Sequence, residues 1–290
     1  MEEFRKRLIH LHHCRGITSK AILALLKNDS SLQSLYQYSF TTLKSIIAGK
    51  GNQIEKIYQD LHHIPIDSLL LSYQRYQIKC ITIFDQEYPN LLKQIYQPPI
   101  VLYAIGNLRL LHSPSIAIVG SRKADIYALQ AIRRIIPPLV QKEFVIVSGV
   151  AKGVDTMAHK STIECQGKTM GVLGSGFFHI YPQENIGLIE NMKKDHLIIS
   201  EYPPNTRPQR WHFPMRNRII SGLTKGTVII QAEQKSGSLI TAEYALQEGR
   251  EVFAVPGNIY ESLSQGTNKL IQQGAKLVQN GEDILEEFIY

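Results

Sequence analysis

Apolar residues recur along this chain with two different periods. Up to about residue 62 they fall at helical spacing: Leu8, Ile9, Leu11, then Ile22, Leu23, Leu25, Leu26, then Leu43, Ile46, Ile47. Breaks separate these runs at Arg15-Gly16-Ile17-Thr18-Ser19, Lys27-Asn28-Asp29-Ser30 and Ala48-Gly49-Lys50-Gly51. Thr18 or Ser19 stands where a hydroxyl would cap the second helix. Residues 1–75 therefore predict a small helical module. The pattern changes at Ile78-Lys79-Cys80-Ile81-Thr82-Ile83-Phe84, which is β-branched and strand-like. A short helix from Tyr88-Pro89 through Leu91, Leu92 and Ile95 follows, then Pro98-Pro99, then a strand at 100–104.

From Ser115 onward, short continuous apolar runs alternate with amphipathic ones. The runs at 116–119, 144–147, 169–173, 197–199, 227–230 and 252–255 predict strands. The stretches at about 124–136, 153–164, 237–247, 263–273 and 282–288 predict helices. Apolar strands alternating with helices imply a parallel sheet covered on both faces. The expected fold class is α/β: an extended Rossmann-like, doubly wound, mostly parallel sheet over residues 76–290, preceded by the helical module.

Composition narrows the partners. The 290 residues are 43% hydrophobic and 20% charged, which is ordinary globular material and excludes a disordered chain. A net charge of +7 favours an acidic partner, nucleic acid being the commonest. Cys14, Cys80 and Cys165 form no CxxC pair and no disulfide framework, so a reducing compartment and a cytoplasmic protein are expected. No apolar run has signal-peptide or membrane-spanning length, so no membrane partner is expected. His10, His12, His13 and Cys14 crowd one helix, but no second cluster completes four ligands; His62-His63 lacks the spacing. No metal and no cofactor is expected.

Candidate chemistry gathers at the ends of the predicted strands, where open α/β sheets bind ligands. Gly120-Ser121-Arg122, Ser148-Gly149-Val150-Ala151-Lys152-Gly153, Gly174-Ser175-Gly176 and Lys235-Ser236-Gly237-Ser238 all lie there. Glycine lets backbone N–H groups approach an anion, and a following helix adds its positive end. Arg122, Lys152 and Lys235 add full charges, so these loops read as a phosphate-binding rim. A second signal is Trp211-His212-Phe213-Pro214-Met215-Arg216-Asn217-Arg218. No carboxylate lies between Glu201 and Glu233, whereas Arg207, Arg210, Arg216, Arg218 and Lys225 do. Cations beside an aromatic ring suit an unpaired nucleic-acid strand; a solvated basic helix face reads the same way. A dinucleotide fingerprint fails, because His179 stands where the third glycine of Gly174-Ser175-Gly176 would belong, and no Walker lysine occurs. Ser148 and His159 lack a GxSxG elbow and read as structural, as does Asp155 at its helix start. No catalytic residue is assigned.

In order and at matching spacing the chain carries Ile118-Val119-Gly120-Ser121-Arg122, Ser148-Gly149-Val150-Ala151-Lys152-Gly153-Val154-Asp155, Ser200-Glu201-Tyr202-Pro203 and Phe213-Pro214-Met215-Arg216-Asn217-Arg218-Ile219-Ile220-Ser221-Gly222. Lys235 to Ala242, Val255-Pro256-Gly257 and Gly266-Thr267-Asn268-Lys269-Leu270-Ile271 follow. This set strongly resembles the DprA/Smf family of DNA-processing proteins from about residue 78 onward. The first helices resemble the family's sterile-alpha-motif or helix-hairpin-helix-like module.

The resemblance implies a protein that binds single-stranded DNA without chemistry. It would protect incoming strands in natural transformation, load the recombinase RecA, and relieve the block imposed by single-strand binding protein. It implies phosphate contacts from Arg122 and Arg210, a base-receiving loop at Phe213, and Lys152 where many relatives have arginine. Arg216 and Arg218 carry two readings, DNA contact or buried braces to carboxylates such as Glu233. The resemblance also implies a tail-to-tail homodimer through Ile271 and Leu277, whose plain alternative is core packing. Many relatives add a C-terminal winged helix, which is expected to be absent from a chain ending at Tyr290. The alternative function is a nucleoside-monophosphate phosphoribohydrolase-like enzyme on the same scaffold. That would need a PGGxGT-type loop, where this chain has Lys235-Ser236-Gly237-Ser238, with Glu243 the only nearby carboxylate.

Overall fold

The computed structural model describes residues 2–288. The helical spacing of the first segment becomes α1 (Glu2–His13), α2 (Ser19–Asn28), α3 (Phe40–Ile46), α4 (Gly51–His63) and α5 (Ile66–Arg75). Thr18 caps α2: its side chain accepts from the Ala21 N–H at 3.1 Å. The strands β1 (Lys79–Thr82) and β2 (Val101–Gly106) follow, with the short helix α6 (Asn90–Lys93) between them in sequence. The chain divides into two units: residues up to Gln86 with Pro99–Tyr103, and Glu87–Pro98 with the chain from Ala104 onward.

The smaller unit has its own core of Leu8, Ile9, Leu11, Leu25, Leu43, Ile54 and Ile57, all at most 1% exposed. His12 and His13 bond to tyrosines of the same unit. His12 Nδ1 lies 3.1 Å from the Tyr103 hydroxyl, and His13 Nε2 lies 2.8 Å from the Tyr73 hydroxyl. Among the described residues, no group of three or more His, Cys, Asp or Glu is placed to hold a metal ion.

Desolvation pulls the His12 pKa from 6.5 to about 3 and that of His13 to about 4. The folded state keeps both rings neutral where the unfolded chain already binds protons, so stability falls as pH drops through about 6.5 toward those values. The expected result is a melting temperature that declines across this window. The measurement is thermal melting of the full chain in matched buffers, beside His12→Gln. A decline that persists undiminished in that variant removes His12 from the cause.

The larger unit continues with β3 (Ser115–Val119), α7 (Ile126–Gln141), β4 (Val145–Ser148), α8 (Val154–Glu164), β5 (Thr169–Leu173), α9 (Ile186–Asp195) and β6 (Leu197–Ser200). Then come α10 (His212–Gly222), β7 (Gly226–Ile229), α11 (Gly237–Gln247), β8 (Glu251–Ala254), α12 (Gln265–Gln272), β9 (Lys276–Leu277) and α13 (Glu282–Leu285). The strands run in the order β6-β5-β4-β3-β7-β8-β9, each neighbouring pair parallel. The α/β, doubly wound, mostly parallel sheet expected from the sequence is the observed fold.

One feature of this order positions the site. The β3–α7–β4 crossover leads outward one way, and β7–α11–β8 leads outward the other way. Right-handed crossovers then place α7 and α11 on opposite faces. Ile116, Ile118, Ile146, Val228 and Phe253 join α7, α8 and α13 in one core cluster. The alternate strand residues Ala117, Val147 and Ala254, all fully buried, face the other layer. A crevice must open between the carboxyl ends of β3 and β7, the switch point of the sheet.

The helix α7 runs on to Gln141, through Pro137 and Pro138, although the sequence predicts an end near Ile136. Fully buried Leu139 holds this last turn on the core. Packing here outweighs the two missing backbone donors.

Candidate functional site

The crevice holds a cleft of about 730 Å3. One wall is the turn after β3, Gly120-Ser121-Arg122, and the opposite wall is the turn into α11, Ser236-Gly237-Ser238. Both turns are fixed. The Ser121 N–H donates to Gln231 O at 2.7 Å, and its carbonyl accepts from Val154 N at 3.2 Å. Ser236 caps α11, and its hydroxyl lies 2.8 Å from that of Ser238. The first turn of α10 forms the third wall, with Arg210 just before it and Phe213 within it.

At the mouth, Phe213 is ringed by chemistry from distant segments. The Arg122 guanidinium lies 5.7 Å from the ring centroid, a cation–π distance. Tyr181 lies 5.6 Å from it at 56°. Behind the ring, a methyl group on Gly174 would sit 2.9 Å from Phe213 Cδ1, so glycine there lets the ring approach the end of β5. Gly174 is therefore a spacer under the aromatic ring and does not line the cleft. Tyr181 was not singled out from the sequence. It lies in a loop with no periodic signal, and only its position beside Phe213 marks it. Trp211, 62% exposed, stands just before α10.

Arg122, Lys152, Arg207, Arg210 and Lys235 are all exposed. Among the described residues, only Lys152 of these five makes an ion pair, at 2.7 Å to Glu184. Arg216 and Arg218 differ: they are 4% and 5% exposed. Arg218 Nη2 pairs with Glu201 Oε1 at 2.5 Å; the carboxylate is Glu201, whereas Glu233 lies near Lys123. The Arg216 guanidinium packs against Gly149, where a methyl group would fall 1.7 Å from Nη1. That Nη1 donates to Val172 O at 2.8 Å. Burial lowers the Arg216 pKa and raises that of Asp155, with the attraction between the two opposing both shifts. The Asp155 carboxylate accepts from Gly149 N and Ala151 N at 3.1 and 3.2 Å, bracing the loop.

A protein-family model, DNA recombination-mediator protein A, matches residues 79–289. This chain belongs to that family. Its relatives include the DNA processing protein DprA of Bacillus subtilis, 48% identical over 83% of this chain and 80% of its own. The DprA of Streptococcus pneumoniae is 45% identical over 94% of each chain. The solved Streptococcus pneumoniae DprA structure is similar with a TM-score of 0.85 at 38% identity, covering 99% of this chain and 98% of its own. The DNA processing protein A of Helicobacter pylori, whose structure is described for its single-stranded DNA binding mode, gives 0.66 at 30% identity. That match covers 73% of this chain and 95% of the other.

All the rim residues fall inside the span matched by the family. Ser148 and His159 also fall there but point inward: Ser148 Oγ donates to Ile118 O at 2.7 Å, and His159 Nδ1 lies 2.7 Å from Thr169 Oγ1. Glu243 is exposed on α11 and does not line the cleft. Ile271 is half-buried on α12, and Leu277 is 44% exposed on β9, the edge strand of the sheet. Among the described residues, no helix is long and apolar enough to cross a membrane.

Proposed function

We propose that this protein binds single-stranded DNA in the β3–β7 cleft, without chemistry, and passes it to the recombinase RecA in transformation and recombination. One observation carries the reading: the Arg122 guanidinium sits over the Phe213 ring at the cleft mouth. A phosphate and an unstacked base of the same strand need that pairing. Duplex DNA keeps its bases stacked and offers the ring nothing. The N–H groups of Gly120 and Gly237 and the hydroxyls of Ser121, Ser236 and Ser238 take phosphate oxygens, while Arg122, Lys152, Arg210 and Lys235 supply charge. Gly174 and Arg218 act from behind, shaping the loops that DNA touches, while Arg216 lines the floor of the site.

Family membership supports RecA as the recipient and single-strand binding protein as the competitor displaced. The exposed Leu277 on an edge strand, with Ile271 nearby in sequence, supports a homodimer through that edge. The free thiols fit a cytoplasmic setting.

The test is fluorescence anisotropy with single-stranded and duplex DNA of equal length across a salt series. Tight single-strand binding that fades with salt is expected. Phe213→Ala should weaken it by about 1–3 kcal/mol. Equal affinity for both DNA forms, or a Phe213→Ala protein that melts earlier yet binds as before, would overturn the reading.

A further inference from the structure

A second, smaller cavity of about 140 Å3 adjoins the mouth of the cleft. Tyr181 and Phe213 border both spaces. Its other walls include Arg122, Lys152, Gly149 and Arg216, so three cations face one small volume. Arg216 is only 4% exposed, and its Nε has no hydrogen-bond partner among the described residues.

The floor is rigid. Val150, fully buried and β-branched, holds φ at +56°, a conformation such residues rarely adopt without surrounding restraint. The restraints are present on both sides. Asp155 holds the Gly149 and Ala151 N–H groups. Asn185 Nδ2 donates to Val150 O and lies near Thr156 Oγ1, both at 2.9 Å. Asn185 thereby ties the Tyr181–Asn185 loop to the cavity floor. The same loop carries Glu184, whose carboxylate meets Lys152 Nζ at 2.7 Å.

We propose that this cavity is a phosphate subsite for the strand leaving the Phe213 ring, and that Glu184 is its latch, holding Lys152 until a phosphodiester replaces the carboxylate. The proposal rests on the single-strand reading above. Both latch side chains are more than half exposed, and exposed ion pairs hold weakly. An arriving phosphate gains Arg122 and Arg216 as well as Lys152, whereas Glu184 holds Lys152 alone. Exchange therefore favours DNA, and Glu184 repels anions too weakly placed to reach all three cations.

The experiment is anisotropy of an oligothymidylate with the full chain, comparing wild type, Lys152→Gln, Glu184→Gln and the double variant. Lys152→Gln should bind several-fold more weakly, with a salt slope shallower by about 0.7, one single-strand phosphate contact. Glu184→Gln should bind several-fold more tightly, and the double variant should match Lys152→Gln. A Glu184→Gln protein that binds no tighter, or Lys152→Gln with unchanged affinity and slope, overturns the latch while wild-type binding still upholds the cleft. Absence of wild-type binding overturns both. Each oligonucleotide is run with and without a 5′-phosphate. Equal behaviour supports an internal phosphodiester, and a Lys152 effect confined to 5′-phosphorylated strands overturns it in favour of a terminal phosphate.

Discussion

Replacing Arg122 and Arg210 together by alanine is expected to weaken single-strand binding by about 1.5–3 kcal/mol per residue, the worth of a hydrogen bond to a charged group. Both side chains are exposed, and neither has a carboxylate partner among the described residues. Their loss therefore removes attraction for phosphate and leaves no orphaned charge inside. The salt dependence should flatten by about 1.4, two single-strand contacts at about 0.7 each. Melting should move little, as for most exposed substitutions. An affinity series with the wild-type slope would rule out both residues as phosphate contacts, whatever the change in affinity.

Glu201→Ala should have the opposite profile. Its partner Arg218 has a side chain only 6% exposed, and the Arg218 Nε and Nη1 already lack hydrogen-bond partners among the described residues. Removing the carboxylate leaves a buried cation with nothing to balance it, which costs about 3–5 kcal/mol. Urea denaturation measures it. Replacing both residues, as Glu201→Leu with Arg218→Met, should recover much of the loss, because a buried ion pair contributes less than its rupture destroys. A loss under about 1 kcal/mol in Glu201→Ala would mean that Arg218 finds water or another partner and does not brace α10.

The strands were the most legible part of the sequence. Buried parallel strands are continuous apolar runs, and the runs at 169–173 and 227–230 fall on β5 and within one residue of β7. The stretch 237–247 coincides with α11, because Ser236-Gly237 marks its start. By contrast α9 was missed: Ile186 to Asp195 follows Pro182 with few apolar positions, and only Ile189 and Met192 are buried. The β9 strand is two residues long, too short to show a period. The glycine turns were visible as a rim because strand ends are visible. Which face of α10 turned inward was not. Arg216 and Arg218 look like any basic helix face until β5 and Glu201 are folded against them. Tyr181 and Glu184 left no signal either, since what places them is Asn185 reaching back across 35 residues to Val150.

The pairing of β3 with β7, with Ala117 opposite Thr227, also sets a schedule. Synthesis proceeds at about 5–20 residues per second. The Arg122 turn therefore leaves the ribosome about 5–20 seconds before β7 exists to stand beside it. During that interval the nascent chain exposes one lip of the cleft and the bare flank of β3, with no opposing wall. Its capacity to hold a strand of DNA arrives late and all at once, when β7 slots between β3 and the chain still to come.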